Sequence, residues 1–316
     1  VGAPGGAAVN LDHCTIVGTS TDREAWLAIR GTGLGASDIP SILGCGFHEP
    51  AEVWAQKRGL VEPENLDDVE RIRWGNVMEP ITILEYAQPY YSGRPAERSG
   101  ICYRSIAHPW LLATLDAITL HPVHGRIPLE VKGLDAFRAE TWQDGPPDRV
   151  YYQVQSQMLV TGTPCAVVAC TIGGNRLVWC DVKRDESAIA RIILAGSRFW
   201  ALVQSGAMPE NDATPEWARA FALANPENGT TATLDESLRG YADELARVKA
   251  EIKRLETEEQ RMKNDVIAAI GAASEARFDD GSGWTYRAQT RAEHVVKAST
   301  FRVLRTSAKP TKRKGV

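Results

Sequence analysis

The sequence lacks several features that would each point to a class of protein. None of its apolar runs approaches the ~18 residues that a membrane-spanning helix requires, which excludes a helical membrane protein. The start of the chain has neither the charged first segment nor the apolar core of a signal peptide, and residues 1–20 are expected to form a flexible leader. The six cysteines form no CxxC pair and no zinc spacing, so buried free thiols in a reducing cytoplasm are expected.

Charge and glycine spacing exclude two further classes. A net charge of −4 argues against indiscriminate coating of nucleic acid, although a locally basic channel could still bind DNA. The glycines at 31, 33 and 35 have no Walker lysine after them and no strand before them, so a nucleotide-binding loop is rejected. An apolar content of 43% and a charged content of 24% are typical of a soluble globular protein.

The most informative pattern lies between Asp116 and Lys132. It predicts a strand that carries Asp116, a turn, and a second strand that carries Glu130 and Lys132. Because alternate side chains of a strand share a face, Glu130 and Lys132 point the same way, and Asp116 can join them from a paired strand. Two carboxylates among apolar β-formers are costly unless something compensates their charge.

A divalent cation is the natural compensator. Carboxylate oxygens favour Mg²⁺ or Mn²⁺ over zinc, and Asp116, Glu130 and the carbonyl of Val131 are the predicted ligands. Asp followed by Glu-x-Lys on the next strand is the arrangement that a metal-dependent phosphodiesterase needs, with Lys132 orienting the attacking water. The alternative interpretation is a surface salt bridge on a hairpin.

Three further sequence blocks accompany the two of this pattern in a fixed order. In that order, the chain resembles the YqaJ-like viral recombinase nucleases, the lambda-exonuclease-like group of the PD-(D/E)xK superfamily, over roughly residues 22 to 205. The blocks are Arg30-Gly-Thr-Gly-Leu-Gly-Ala-Ser37-Asp38, Trp74-Gly-Asn-Val-Met-Glu79-Pro80, Asp116, Glu130-Val-Lys132 and Tyr151-Tyr-Gln153-Val-Gln155.

The resemblance implies roles for residues outside the strand pair. Glu79 would extend the carboxylate cluster from a helix and complete the shell of a second metal ion, and Gln153 would line the active site. The role of Gln155 stays open, and Gln157 is expected to face solvent. The alternative for Glu79 is a glutamate on a helix surface.

The resemblance also implies a pocket for a terminal 5′-phosphate, formed by Arg30, Ser37 and Thr114. Thr114 replaces the serine of the family and keeps the hydroxyl. A guanidinium can give phosphate two hydrogen bonds, and a helix beginning at Ser37 would add its free N–H groups. The alternative is that Ser37 is only a helix N-cap and Arg30 only a surface charge.

The predicted fold class is α/β, with a restriction-endonuclease-like core in which helices flank a mixed central sheet. Strands are expected near 100–104, 112–120 and 127–132, and helices near 66–86, 148–160 and 186–203. We expect a leader over 1–20, the nuclease domain over 21–206, a linker over 207–233, a long heptad helix over 234–274, and a β-hairpin with a basic tail over 275–316.

The function implied is a metal-dependent DNA exonuclease of a phage-type recombination system. It would degrade the 5′-ended strand of duplex DNA to leave 3′ overhangs for a single-strand annealing protein, with Mg²⁺ or Mn²⁺ as cofactor and two ions per site. A homotrimeric ring around DNA, no membrane association and a location in the host cytoplasm are also expected. Two rivals remain: a RecB-type nuclease or endonuclease of the same fold, and a non-catalytic DNA-end-binding scaffold.

Overall fold

The computed structural model describes residue 9 and the ranges 11–61 and 69–290. The chain divides into two compact units, Val1–Pro226 and Glu227–Val316. The first unit holds two β-sheets with helices packed on them, and the second holds a long helix followed by a two-stranded hairpin. The predicted α/β class, with a mixed sheet flanked by helices, is therefore confirmed.

Nine strands are found in the described part of the first unit. Those of the four-stranded sheet lie in the order β1-β4-β5-β2, and those of the five-stranded sheet in the order β3-β6-β7-β8-β9. Only the β7–β8 pair of the second sheet is parallel, so this sheet is mixed. The strands are β1 Cys14–Thr19, β2 Leu34–Gly35, β3 Ala96–Arg98, β4 Ile101–Ser105, β5 Leu111–Thr114, β6 Ala117–His121, β7 Gly125–Leu134, β8 Cys165–Ile172 and β9 Arg176–Lys183.

Helices cover both faces of the five-stranded sheet. The side chains of β8 alternate, so that Val167 packs in a cluster with α4 while Val168 packs in a cluster with α5. Each fully buried side chain of this size contributes about 1.5–3 kcal/mol relative to an exposed one. The helices are α1 Arg23–Gly31, α2 Ile39–Ile42, α3 Pro50–Lys57, α4 Glu70–Tyr86, α5 Asp148–Thr161, α6 Glu186–Ser205 and α7 Pro215–Ala224, with a 3-10 helix at Ala136–Trp142.

The single strand predicted over 112–120 is in fact two strands in different sheets. Between β5 and β6 the chain leaves one sheet and enters the other at Leu115 and Asp116, and β3 and β4 make the same crossing at Ser99 and Gly100. Backbone bonds from Ser99 N to Asp116 O (2.9 Å) and from Gly100 N to Leu115 O (2.8 Å) hold the two crossings together. Gly100 has a φ of +63°, a conformation that a side chain would disfavour. Asp116 therefore lies at the junction of the sheets and not within a strand.

Two domain boundaries predicted from sequence are wrong. The expected leader contains β1, which pairs antiparallel with β4 from Cys14–Ser105 to Thr19–Ile101. The expected linker contains α7, whose N-cap Thr214 accepts a hydrogen bond from Trp217 N and is followed by a proline at the first helical position. Ala220 of α7 is buried in the core of the first unit, so that unit continues past Gly206.

The second unit contains the predicted heptad helix with shorter bounds. The helix α8 spans Tyr241–Ile270, and β10 Glu275–Arg277 pairs with β11 Gly283–Thr285 as the expected hairpin. The predicted basic tail begins at Phe301 and lies outside the described residues. In the described ranges, none of the helices combines the length and apolarity needed to cross a lipid bilayer.

Candidate functional site

Asp116 is held by the backbone of the neighbouring strand. Its Oδ2 accepts a hydrogen bond of 2.9 Å from the N–H of Val131 in β7. Among the described residues, no partner bonds the other carboxylate oxygen. Asp116 lines a cavity of about 610 Å³, so an oxygen is left to bind a ligand there.

Glu130 is the most deeply buried acidic group of the site, with 1% of the residue exposed. Its Oε1 accepts hydrogen bonds from Lys132 Nζ and from Gln153 Nε2 (2.7 Å), and its Oε2 accepts one from Gln157 Nε2. All three partners donate hydrogen bonds, so they fix the orientation of the carboxylate. A carboxylate offers about four lone-pair positions, so one remains for a cation.

The two acids and the lysine influence one another's charge. Burial and the nearby Glu130 raise the pKa of Asp116 well above its ordinary value, against the opposing effects of Lys132 and the Val131 N–H. Burial lowers the pKa of Lys132, but Glu130 and Asp116 outweigh it and leave that pKa raised. The raised pKa of Asp116 means that its negative charge is costly here, and a cation would relieve that cost.

Glu79 lies on α4 and lines the same cavity, but its carboxylate is paired with an arginine that also lines the cavity. Its Oε1 accepts a hydrogen bond of 2.9 Å from Arg98 Nε, and Arg98 itself is largely exposed. Arg98 was not singled out from the sequence, because its partner lies 19 residues away on another element.

The predicted phosphate-pocket residues line this cavity, and each takes part in a side-chain hydrogen bond. Arg30 Nη2 donates to Ser37 Oγ at 3.2 Å, and Trp26 Nε1 donates to Thr114 Oγ1 at 2.9 Å. The Thr114 side chain also forms a hydrogen bond with Cys102. The helix α2 begins at Ile39 with Asp38 in the N-cap position, so the N-cap expected at Ser37 is wrong. Since α2 has only four residues, its dipole adds little to a pocket.

Asp38 and Lys57 do not line the cavity but support Arg30 from behind it, and they were not identified from the sequence. Asp38 accepts from Arg30 (2.9 Å) and pairs with Lys57 Nζ (2.7 Å). Burial raises the pKa of Asp38, but Arg30 and Lys57 outweigh it and lower that pKa to about 2. Two cations thus surround one anion, which leaves a net positive charge. Lys57 lies on α3, and its contact with Asp38 is known only from the folded structure.

One cavity therefore gathers every site residue predicted from the sequence. It is lined, among others, by Arg30, Ser37, Glu79, Thr114, Asp116, Glu130, Val131, Lys132 and Gln153.

The two remaining glutamines of α5 have different surroundings, and the expectation for Gln157 is wrong. Gln157 was expected to face solvent, but it is 1% exposed and donates to Glu130. Its spacing of one helical turn from Gln153 was the signal that could have revealed this. Gln155 bonds Lys183 O (2.8 Å) and Asp185 N (3.0 Å), away from the cavity.

The donor set around Asp116 fits a hard divalent cation. Asp116, Glu130 and the Val131 carbonyl offer only oxygen atoms, which Mg²⁺ and Mn²⁺ prefer. Glu79 is not part of this donor set. Among the described residues, the carboxylate oxygens of Glu79, Asp116 and Glu130 do not all lie within 4.8 Å of one another.

A second set of potential ligands lies at the far tip of the β6–β7 hairpin. The ligand atoms of His121, His124 and Cys165 come within 4.8 Å of one another. His121 Nδ1, however, accepts hydrogen bonds from the N–H groups of Val123 and His124 (3.1 and 3.2 Å). A neutral His121 then carries its proton on Nε2 and has no lone pair there for a metal. These hydrogen bonds therefore argue against a metal site at this tip.

Comparison with known proteins relates the chain to one family. Residues 25–164 match the model of the YqaJ-like viral recombinase domain. The uncharacterized protein YqaJ of Bacillus subtilis (strain 168) is 29% identical over 252 residues, which cover 77% of each chain.

Solved structures give weaker likenesses. An alkaline exonuclease (LHK-Exo) from Laribacter hongkongensis has a TM-score of 0.47 at 19% identity, covering 58% of this chain and 94% of its own. A phage-related exonuclease from Haemophilus somnus 129PT has a TM-score of 0.36 at 12% identity, covering 55% and 96%. The match to the YqaJ-like viral recombinase domain covers residues 25–164, and this range contains every site residue predicted from the sequence.

Proposed function

We propose that the protein is a Mg²⁺- or Mn²⁺-dependent DNA exonuclease that degrades the 5′-ended strand of duplex DNA from an end. The single observation that carries this proposal is that Asp116, Glu130 and Lys132 share a cavity with Arg30, Ser37 and Thr114. The first three residues suit phosphodiester hydrolysis, and the last three suit a terminal phosphate. The names of the two exonucleases with similar folds agree with a nuclease but do not decide the direction of cutting.

The reaction follows from how these side chains are held. A divalent cation bound by Asp116, Glu130 and the Val131 carbonyl would polarise the scissile phosphate and lower the pKa of a water molecule. The Val131 N–H fixes the orientation of Asp116, and the two α5 glutamines fix that of Glu130. Lys132 keeps its proton, because its pKa is raised, and offsets the charge that develops on the phosphate. Glu79 would serve a second ion once released from Arg98.

The pocket around Arg30 would hold the 5′-phosphate that precedes the scissile bond. Arg30 offers a guanidinium, and Ser37 and Thr114 offer hydroxyls, and all three line the cavity. Asp38 lowers the positive charge without cancelling it, because Lys57 also faces it. A phosphate bound there would place the next phosphodiester near Asp116 and Glu130, which favours removal of nucleotides from a 5′ end.

The partners proposed are double-stranded DNA ends, further copies of this chain in a trimeric ring, and a single-strand annealing protein. A ring threaded by DNA would allow processive cutting despite the net charge of −4. The site of action would be the host cytoplasm, which suits the six free cysteines.

End-labelled duplex DNA tests the direction of cutting and the pocket. With Mg²⁺, a 5′ label should be released at once as a mononucleotide, whereas a 3′ label should stay in long products. A 5′-phosphorylated end should be digested faster than a 5′-hydroxyl end. Arg30→Ala should remove most of that preference, Arg30→Lys should restore part of it, and Arg198→Ala, an exposed control on α6, should not change it.

Three results would contradict the proposal in different ways. Early release of the 3′ label would reverse the polarity. Equal rates on both kinds of 5′ end would remove the phosphate pocket but leave a nuclease. Nicking of closed circular DNA would favour the endonuclease or RecB-type alternative, and DNA-end binding without cleavage would favour the scaffold.

A further inference from the structure

A second cavity adjoins the catalytic one. Its volume is about 840 Å³, and it lies in the first unit between α4, the 3-10 helix and the start of α5. Six residues line both cavities, so the cavities are neighbours. The shared residues are Ser37, Gly75, Met78, Lys132, Gly133 and Gln153.

Three arginines line the second cavity, one from each of these helices: Arg71, Arg138 and Arg149. Among the described residues, none of them has a carboxylate partner, although Asp135 also borders the cavity. Burial lowers the pKa of Arg149, and the charges of Arg138 and Arg71 lower it further. Three arginines and one aspartate of the described residues thus border one space, and this excess of positive charge forms a site for an anion with several charges.

Aromatic rings stand beside these charges. Phe47 is 71% exposed, and the guanidinium of Arg149 lies 4.5 Å from the centre of its ring. Trp74 is 50% exposed, and Arg73 stacks over it at 5.3 Å. Both rings line the cavity, and their exposed faces can stack with flat apolar groups.

We propose that this cavity binds an unpaired stretch of the DNA strand next to the scissile phosphate. Phosphates would contact Arg71, Arg138 and Arg149, while bases would stack on Phe47 and Trp74. The bases of intact duplex are stacked on each other and cannot reach a protein ring, so the combination of rings and arginines selects unpaired DNA. This inference rests on the proposed nuclease function and adds the form in which that site takes its substrate.

Binding of a short fluorescent single strand to the full chain, with Ca²⁺ in place of Mg²⁺ to prevent cleavage, tests the proposal. The double variant Arg138→Ala, Arg149→Ala should bind the single strand about tenfold more weakly. The slope of log K against log salt should shrink by about 1.4, since each phosphate contact with a single strand adds about 0.7. Arg198→Ala removes one arginine charge from a surface outside both cavities and should show neither change.

Two further variants keep the test decisive if the double variant is not folded. Arg71 is exposed, so Arg71→Ala should fold and lower the slope by about 0.7. Phe47→Ala or Trp74→Ala should restore the emission of a 2-aminopurine placed in the strand, because stacking quenches that base.

The proposal is overturned if these variants bind the single strand as Arg198→Ala does. It is also overturned if they lose affinity equally for a duplex closed by hairpins at both ends, which would mark a general duplex contact. Competition by a free deoxynucleoside monophosphate as strong as by the strand would instead assign the cavity to the released product. Since binding is measured without cleavage, each result is independent of whether the wild-type protein is an exonuclease.

Discussion

Glu130 shows how much of the site could be predicted at the scale of single residues. Alternation along one strand placed Glu130 and Lys132 on the same face, and the two side chains are in contact. Helical spacing would have done the same for Gln157, which lies one turn after Gln153 and binds the other oxygen of Glu130. Lys57 could not be predicted in this way, because its contact with Asp38 joins two elements whose packing no local pattern states.

Gln157 should act as a positioning residue for Glu130. Gln157→Leu removes one of three donors from a buried carboxylate, so the Mg²⁺ concentration needed for half-maximal cleavage should rise about 10- to 100-fold. Gln155→Leu is the matched control on the same helix. It breaks two hydrogen bonds that do not reach Glu130, so it should lower thermal stability without changing the Mg²⁺ requirement.

A Mg²⁺ titration of the cleavage rate, with unfolding monitored by circular dichroism, separates the two roles. If Gln157→Leu loses stability but keeps the wild-type Mg²⁺ requirement, the residue only fills space.

At the scale of elements, the sequence pattern placed most helices and strands but not the change of sheet. Residues 111–121 contain no glycine or proline and have the residue preferences of one strand, whereas the structure divides them at Leu115 and Asp116. The division arises because β5 pairs with β4 and β6 pairs with β7. The residues of the segment alone do not determine this pairing. The helix α7 is a different case: Thr214 and Pro215 are a helix start, but the polar composition around them suggested a linker.

The helix α8 should serve assembly and not catalysis. Its 30 residues span about 45 Å at ~1.5 Å per residue, and an apolar stripe runs along it in which Leu245 and Ile252 are about half exposed. Burial of such an apolar stripe against another helix stabilises both helices. Replacing both residues with Asp should lower the mass of the oligomer and shorten the length digested per binding event, while cleavage of short duplexes continues.

Light scattering and digestion of long and short duplexes measure this effect. Replacing Ala246 and Lys253 with Asp introduces the same groups at the same spacing next to the stripe and is the matched control. Unchanged mass in the Leu245, Ile252 variant, or the same loss in the control, would contradict the assembly role.

At the scale of the whole molecule, the first unit should fold and cut DNA without the second. The division at Pro226 keeps α7, whereas the boundary expected at Gly206 would remove it and expose the surface that covers Ala220. Trp217, whose Nε1 donates to Pro209 O at 3.0 Å, also packs on that core. The free energy of unfolding in urea should therefore be higher by about 2 kcal/mol or more for a chain ending at Pro226 than for one ending at Gly206. One large buried side chain contributes a free energy of this order, about 1.5–3 kcal/mol.

Equal stability of the two shortened chains would show that α7 adds nothing to the first unit. A chain ending at Pro226 that folds but no longer cleaves short duplexes would place part of the active site in the second unit.

The central claim is that Asp116 and Glu130 bind the metal ion that hydrolyses DNA. Its most direct measurement is the rate of mononucleotide release from linear duplex with Mg²⁺, compared for the wild-type chain, Asp116→Asn and Glu130→Gln. The same proteins are titrated with labelled duplex in Ca²⁺. We predict that the wild-type rate is abolished by chelation and that each variant lowers it by at least ~1,000-fold, whereas duplex binding and the circular dichroism spectrum persist. Wild-type release of nucleotides by Asp116→Asn, or by the wild-type chain without any divalent ion, would contradict the account.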